Sequence, residues 1–523
     1  MSHGAFPTSR PSGPGTGPAP TGPGPGPAPG PASRGTAATG RACADPAAAA
    51  LAGGAHGPAA LEPLLHTVLD ALGTGARDRR GPLPPGGPKV VADRLRTALH
   101  PVLPEDGGGP REALATLVKA LAEGAADPAD PHCAAHLHCP PLAVAAAADL
   151  AAAALNPSLD SWDQAPAATA LETELTRAVA ALVYPRSPLP DAVVTSGGTE
   201  SNLVALLLAR ERARATGART VQVVCGTNAH HSVHRAAWLL GLPTPVTVAC
   251  DAGRVLPAAL DRALADTAGP ALVVATAGTT DEGLIDPLDQ LARVATTYGA
   301  ELHVDAAYGG ALLFSDTLRG RLDGLDRAVT VTLDLHKLGW QPVPAGLLAV
   351  RDTTALEPLT HQTDYLNADD DTEAGLPDLL GRSLRTTRRP DAFKMAVTFR
   401  ALGRTGLARL VEHCVHAAER LAALADGHPR LRRRPGPVGI STVLLRPAAA
   451  DDLARTDGED AGDAYVAGVR RRLLTDGRAV VGRARARDAD GHTRLWLKAT
   501  LLHPAVRPTD LEALAETLAE TRP

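Results

Sequence analysis

Two neighbouring runs decide how this chain is read: ELHVDAAYGGALLFS, Glu301–Ser315, and AVTVTLDLHK, Ala328–Lys337. Within them, Leu302–Val304 and Val329–Leu333 are short and largely apolar on both faces, the pattern of strands buried inside a parallel sheet. Each ends in ionisable groups, Asp305 after the first and His336–Lys337 after the second. In an open parallel sheet, ligands bind at the carboxyl ends of the strands. A carboxylate and a lysine delivered there, one per strand, suit pyridoxal phosphate. The lysine condenses with the aldehyde, and the carboxylate keeps the ring nitrogen protonated so that the ring accepts electrons. The same two groups would serve equally as a strand-end ion pair with no chemistry attached.

The flanking sequence extends the pattern. Strands at Ala192–Thr195, 220–225, Ala271–Thr276 and Leu347–Val350 alternate with helices at Glu200–Thr216, 231–241 and 287–298. Such alternation predicts a mainly parallel sheet covered by helices on both faces. Ser196-Gly197-Gly198-Thr199 sits at a strand-to-helix junction, where glycines admit close approach and free amides face an anion. It is neither a dinucleotide fingerprint nor a Walker motif, and a Gly-Gly turn there is also a common structural device. In GTNAHHSVHRAAWLLGL, 226–242, His230 and His231 open the helix that follows a strand. At least one imidazole is therefore expected at the strand-end crevice, able to stack on a ring and to move protons.

Composition sets the remaining bounds. A chain of 523 residues predicts two or three domains. A net charge of −5 without a long basic run argues against nucleic acid as the main partner. No run of strongly apolar residues is long enough to predict a membrane span, and the first residues lack the apolar core of a secretory signal. Six scattered cysteines fit reduced thiols in a cytoplasm. Residues 1–47, rich in Pro, Gly and Ala, are expected to be disordered. Residues 48–130 read as a helical arm, 131–401 as the large cofactor-binding domain, and 402–523 as a smaller α/β domain. PHCAAHLHCPPL, Pro131–Leu142, interleaves His132, His136 and His138 with Cys133 and Cys139, but the spacing matches no closed ligand set, so no metal is expected.

Taken in order, these segments resemble the group II pyridoxal-dependent decarboxylases, the family of aromatic amino acid and glutamate decarboxylases. They most resemble its bacterial L-2,4-diaminobutyrate and siderophore-type lysine members. The resemblance is carried by HLHCPPL, LNPSLDSWDQAPAATALE, TSGGTESNLVALLLAR, NAHHSVHRAAWLLGL, VVATAGTTDEGLIDPL, HVDAAYGGALL, LDLHK, HQTDYLNADDD, SLRTTRR and LKATLLHP, from about His132 onward. It implies an aspartate aminotransferase-like (type I) fold with a seven-stranded sheet, and a homodimer with its active sites at the interface. It also implies that Lys337 carries pyridoxal 5'-phosphate, that Asp305 pairs with the ring nitrogen and that His230 stacks on the ring. Gly198, Thr199 and His336 would hold the phosphate. Thr280 would lie close to the ring and the substrate carboxylate, and Ala307 would pack on the ring's other face. His138, Cys139 and Pro140 would line the substrate side.

Three departures bear on substrate. Leu379 stands where aromatic amino acid decarboxylases carry a loop tyrosine, LGWQPVPAG follows the lysine, and Pro390 follows TTRR. The acidic stretch 366–387 has the composition of a lid. With only four Phe in the chain, a diamino acid is expected, 2,4-diaminobutyrate before lysine or ornithine, with Asp163 and Gln164 of SWDQ or the acidic lid meeting the second amine. The alternatives are an aromatic amino acid decarboxylase, an aminotransferase or aldehyde synthase, and a silent binding protein of the same fold.

Overall fold

The strands form where apolar residues run without polar interruption. Asp191–Thr195, Ala271–Thr276, Thr330–Asp334 and Gly346–Val350 are buried at every position, as a sheet covered on both faces requires. The computed structural model describes residues 50–360 and 369–523. The tail predicted over 1–47 and the greater part of HQTDYLNADDD lie outside the described residues.

Seven strands make the large sheet, in the order 191–195, 346–350, 330–334, 301–305, 271–276, 222–226, 246–248. Neighbours from 330–334 through 246–248 pair in parallel. Gly346–Val350 runs antiparallel to both of its neighbours. Only the short 335–345 connection separates it from the strand before, too little chain for the crossover that a parallel return needs. The apolar faces of the sheet and its helices merge into one core, from Leu175 and Val179 through Val304, Val331 and Leu347 to Val411.

A second sheet has the order 133–134, 480–487, 493–500, 442–447, 431–433. Cys133–Ala134 pairs in parallel with Val480–Val481, so the chain passes through the small sheet before it builds the large one. Val480–Arg487 is one of the two longest strands of this sheet. Its ARAR alternation buries Ala484 and Ala486 and turns Arg483, Arg485 and Arg487 outward. Helices Gly57–Arg79, Gly87–Leu99 and Pro110–Gly124 lie within residues 48–130. The long helix Asp391–Asp426 is broken at Gly403, whose φ of 64° leaves the helical region. Among the described residues, no helix is long and apolar enough to cross a membrane, and no three His, Cys, Asp or Glu side chains gather as a metal site.

Candidate active site

Asp305 is the last residue of its strand and stands level with Thr276 and Thr332 on the neighbouring strands. Lys337 lies three residues past the end of the Thr330–Asp334 strand. The turn that carries it is fixed from below. Leu335 N–H donates to Ala345 O at 2.8 Å, and Gln341 N–H donates to Leu335 O at 3.0 Å. Trp340, fully buried at a φ of 51°, donates its indole N–H to Leu502 O at 2.8 Å. A tryptophan in that backbone region is strained, and it persists because the packing around it leaves no alternative.

A cavity of about 390 Å³ opens at these strand ends. Lys337, Asp305 and His230 line it together with Gly198, Thr199 and His336, and so do Thr280 and Ala307. All eight residues predicted at the cofactor therefore share one cavity. The three predicted on the substrate side do not line it. His138 is exposed and Pro140 buried, while Cys139 is buried and donates its Sγ–H to the His336 carbonyl at 3.2 Å. Burial pushes the Cys139 thiol up to about 12, so it sits there as an inert packing group. From the same segment, His136 and Leu137 line the cavity instead, with His136 turned by a φ of 59°.

The junction of the first strand and the helix Gly198–Ala215 fits a phosphate group. The helix leaves its first amides without intrahelical acceptors. Gly197 has a φ of 150°, and a Cβ there would lie 2.9 Å from Cε1 of His336. A Cβ on Gly198 would lie 3.1 Å from the Ala307 Cβ. The backbone of Gly197 favours glycine outright, and at Gly198 any added Cβ is crowded by Ala307. Ala345 N–H donates to His336 Nδ1 at 3.3 Å, which leaves Nε2 as the protonated nitrogen on the cup side. Burial holds His336 below the ordinary imidazole range despite the opposing pull of Asp334.

Two charged residues that the sequence reading passed over complete the cavity. Asp334, with its side chain only 2% exposed, has Oδ2 3.0 Å from the Lys337 ammonium and 3.5 Å from His336 Nε2. Its signal was present in LDLHK, where an acid precedes the lysine by three residues at a strand end. Lys498 reaches in from Thr493–Thr500 of the small sheet and donates to Thr280 O at 2.8 Å. Burial lowers its pKa, and Asp281 acts in the opposite sense. Nothing in the local sequence pairs Lys498 with residues so far away in the chain. Asp163 and Gln164, by contrast, are engaged within their own loop: Ser161 donates to Asp163 at 2.6 Å, and Gln164 donates to Asp160 at 2.8 Å. Leu379 is buried against Leu159 and Ala165 and does not line the cavity.

Comparison with known proteins extends this picture. The model of the pyridoxal-dependent decarboxylase conserved domain matches residues 99–431. L-2,4-Diaminobutyrate decarboxylase of Rhizobium meliloti (strain 1021) is 39% identical over 429 residues, 80% of this chain and 83% of that protein. The enzyme of the same name from Acinetobacter baumannii is 31% identical over 458 residues, 82% and 87% of the two chains. Among solved structures, the glutamate decarboxylase domain of a Vibrio parahaemolyticus diaminobutyrate-pyruvate transaminase and L-2,4-diaminobutyrate decarboxylase is 29% identical. It superposes with a TM-score of 0.76, covering 90% of this chain and 97% of that one. Mouse CSAD is 25% identical, with a TM-score of 0.78 over 88% and 98%. This chain belongs to the pyridoxal-dependent decarboxylase family and is a pyridoxal phosphate-dependent amino acid decarboxylase.

Proposed function

We propose that this enzyme removes the α-carboxylate of an L-diamino acid, 2,4-diaminobutyrate in preference to lysine or ornithine, giving an amine and CO₂. The observation that carries the reading is one cavity holding Lys337, Asp305 and a second ammonium, Lys498. Bound pyridoxal phosphate supplies an electron sink for the bond that breaks. Lys337 would hold the cofactor covalently through its side-chain amine. Asp305 keeps its ring nitrogen protonated, and His230 and Ala307 flank the ring. Gly198, Thr199 and His336 grip the phosphate. Lys498, fixed by the Thr280 carbonyl, meets the α-carboxylate and orients it. The segment containing His138, Cys139 and Pro140 shapes the substrate side by presenting His136 and Leu137.

The substrate class rests on the two relatives named as diaminobutyrate decarboxylases and on the lining itself. Among the described residues Tyr308 is its one carbon-ring aromatic, and that hydroxyl is already bonded to Ser441 at 2.8 Å and Thr442 at 3.0 Å. Among the described residues, this lining presents no flat apolar walls for an aromatic side chain, whereas the exposed Asp281 beside Thr280 offers a carboxylate to a second ammonium. The enzyme works in the cytoplasm as a homodimer, in keeping with the family resemblance. Specificity constants for CO₂ release from 2,4-diaminobutyrate, lysine, tyrosine and glutamate test the assignment. The diamino acid should lead, and a preference for tyrosine would overturn it. Asp281→Asn should raise KM for the diamino acid and leave that for its monoamino analogue unchanged.

A further inference from the structure

Behind the cavity runs a buried chain of hydrogen bonds centred on Asn202, in the first turns of the helix that begins at Gly198. Asn202 Nδ2 donates to Asp305 Oδ2 at 2.7 Å and to Ser232 Oγ at 2.9 Å. Its Oδ1 lies 2.9 Å from the Thr332 hydroxyl and 3.0 Å from His303 Nε2. Only one orientation of this amide satisfies its neighbours. Reversed, it would set its oxygen against the Asp305 carboxylate, acceptor against acceptor, with both groups buried.

That orientation fixes the protons on both arms. On one side, Oδ1 accepts from Thr332 and from His303. Burial keeps His303 neutral, pushing it down to about 4, and its Nε2 is the nitrogen that faces the Asn202 oxygen, while Nδ1 lies 2.8 Å from the Thr330 hydroxyl and 3.2 Å from the Thr330 carbonyl. On the other side, Ser232 Oγ already accepts from Asn202, which leaves its hydrogen for His230 Nδ1 at 2.8 Å. The Ser232 amide approaches the same nitrogen at 3.4 Å. A nitrogen facing two donors carries no proton.

We propose that Asn202 is a positioning residue that fixes neutral His230 in its Nε2–H tautomer and ties that choice to the carboxylate of Asp305 through a single amide group. The inference deepens the reading of His230 and Asp305 as cofactor residues, and it rests on that reading. Nε2 is the ring nitrogen left outside the network, so His230 meets whatever binds beside it as a hydrogen-bond donor. The group it meets must be an acceptor, a carboxylate or phenolate oxygen, and neutral His230 takes up no proton at Nε2.

The test is a long-range ¹H–¹⁵N correlation spectrum of histidine-labelled protein at pH 8, with and without pyridoxal phosphate, His230 being assigned with His230→Gln. The wild type should show His230 protonated on Nε2 alone. In Asn202→Asp, the new carboxyl and Asp305 share one proton between them, and toward Ser232 the new oxygen accepts where the amide donated. The Ser232 hydroxyl then turns toward it, and His230 must donate from Nδ1, so the tautomer should switch. A wild-type Nδ1–H pattern overturns the proposal, as does a His230 pattern that Asn202→Asp leaves unchanged. If that variant does not fold, Ser232→Ala decides: loss of the single tautomer supports the network, and an unaltered pattern refutes it. The spectrum needs no turnover, so its outcome is separate from that of the specificity assay.

Discussion

Lys337 and Lys498 share one cavity, and burial gives Lys498 a lowered pKa, which makes it a rival amine for the cofactor's aldehyde. What sets Lys337 apart is its place at a strand end, 3.0 Å from Asp334. Borohydride reduction followed by peptide mapping should therefore find the cofactor on the Lys337 peptide, and Lys337→Ala should abolish covalent attachment. Label on Lys498 in the wild type would refute the assignment. Asp305→Asn leaves the shape of the site but removes its charge. Turnover should fall about a thousandfold or more, equivalent to roughly 4 kcal/mol of barrier, while a near-normal rate would exclude the electron-sink role. His303 yields a prediction about stability. Its folded-state pKa lies at about 4, below the ordinary 6.5, so the unfolded chain takes up this proton first. Stability contributed above about pH 6.5 is thus lost as the pH falls toward 4, by on the order of 3 kcal/mol at about 1.4 kcal/mol per unit. His303→Gln should flatten the pH dependence of the denaturation midpoint over that window, and an unchanged slope would contradict the assignment.

Regular elements were legible because their signals are local. An unbroken apolar run marks a buried strand, and the strand ends named Asp305, Lys337 and His336 before any geometry was known. Pairing is not local. Nothing within Leu347–Val350 says that it runs against its neighbours, and two residues at Cys133–Ala134 are too few to reveal a strand. In the segment that follows Cys133–Ala134, His136 and Leu137 line the cavity and His138, Cys139 and Pro140 do not, a detail of backbone direction that no local pattern encodes. Asn202 was within reach of the sequence: it lies four residues past Gly198 and so shares its helix face. SLRTTRR is explained by a buried ion pair. Arg388, from the segment before the Asp391–Asp426 helix, grips both oxygens of Glu172 on the Pro166–Val183 helix, at 2.9 and 2.5 Å. Both side chains are almost fully enclosed. Removing one partner strands the other charge, so Arg388→Leu should cost about 3–5 kcal/mol in denaturant unfolding, whereas Glu172→Leu with Arg388→Leu should recover much of that loss. A loss below 1 kcal/mol in the single variant would show that the pair is dispensable.

At the scale of the molecule, the cavity has walls from both sheets. The large sheet supplies Asp305 and Lys337, and the small one supplies Lys498. Tyr308 binds Ser441 and Thr442 at the start of a small-sheet strand, and Trp340 hangs the lysine turn on Leu502. Lys498→Met should raise KM about ten- to a hundredfold, the worth of one charged hydrogen bond, and should leave the cofactor's absorption in place. A fall in kcat at constant KM would instead assign Lys498 to the chemical step.

The Trp340–Leu502 bond also has a consequence for how the enzyme is made. Synthesis proceeds from the amino terminus, so Lys337 leaves the ribosome long before Leu502 and Lys498. Until those residues emerge, the turn that carries Lys337 lacks its Trp340 tie to Leu502, and the cavity lacks Lys498. A nascent or prematurely terminated chain can therefore fold much of its large sheet and still not consume amino acid, and competence arrives only with nearly the whole polypeptide.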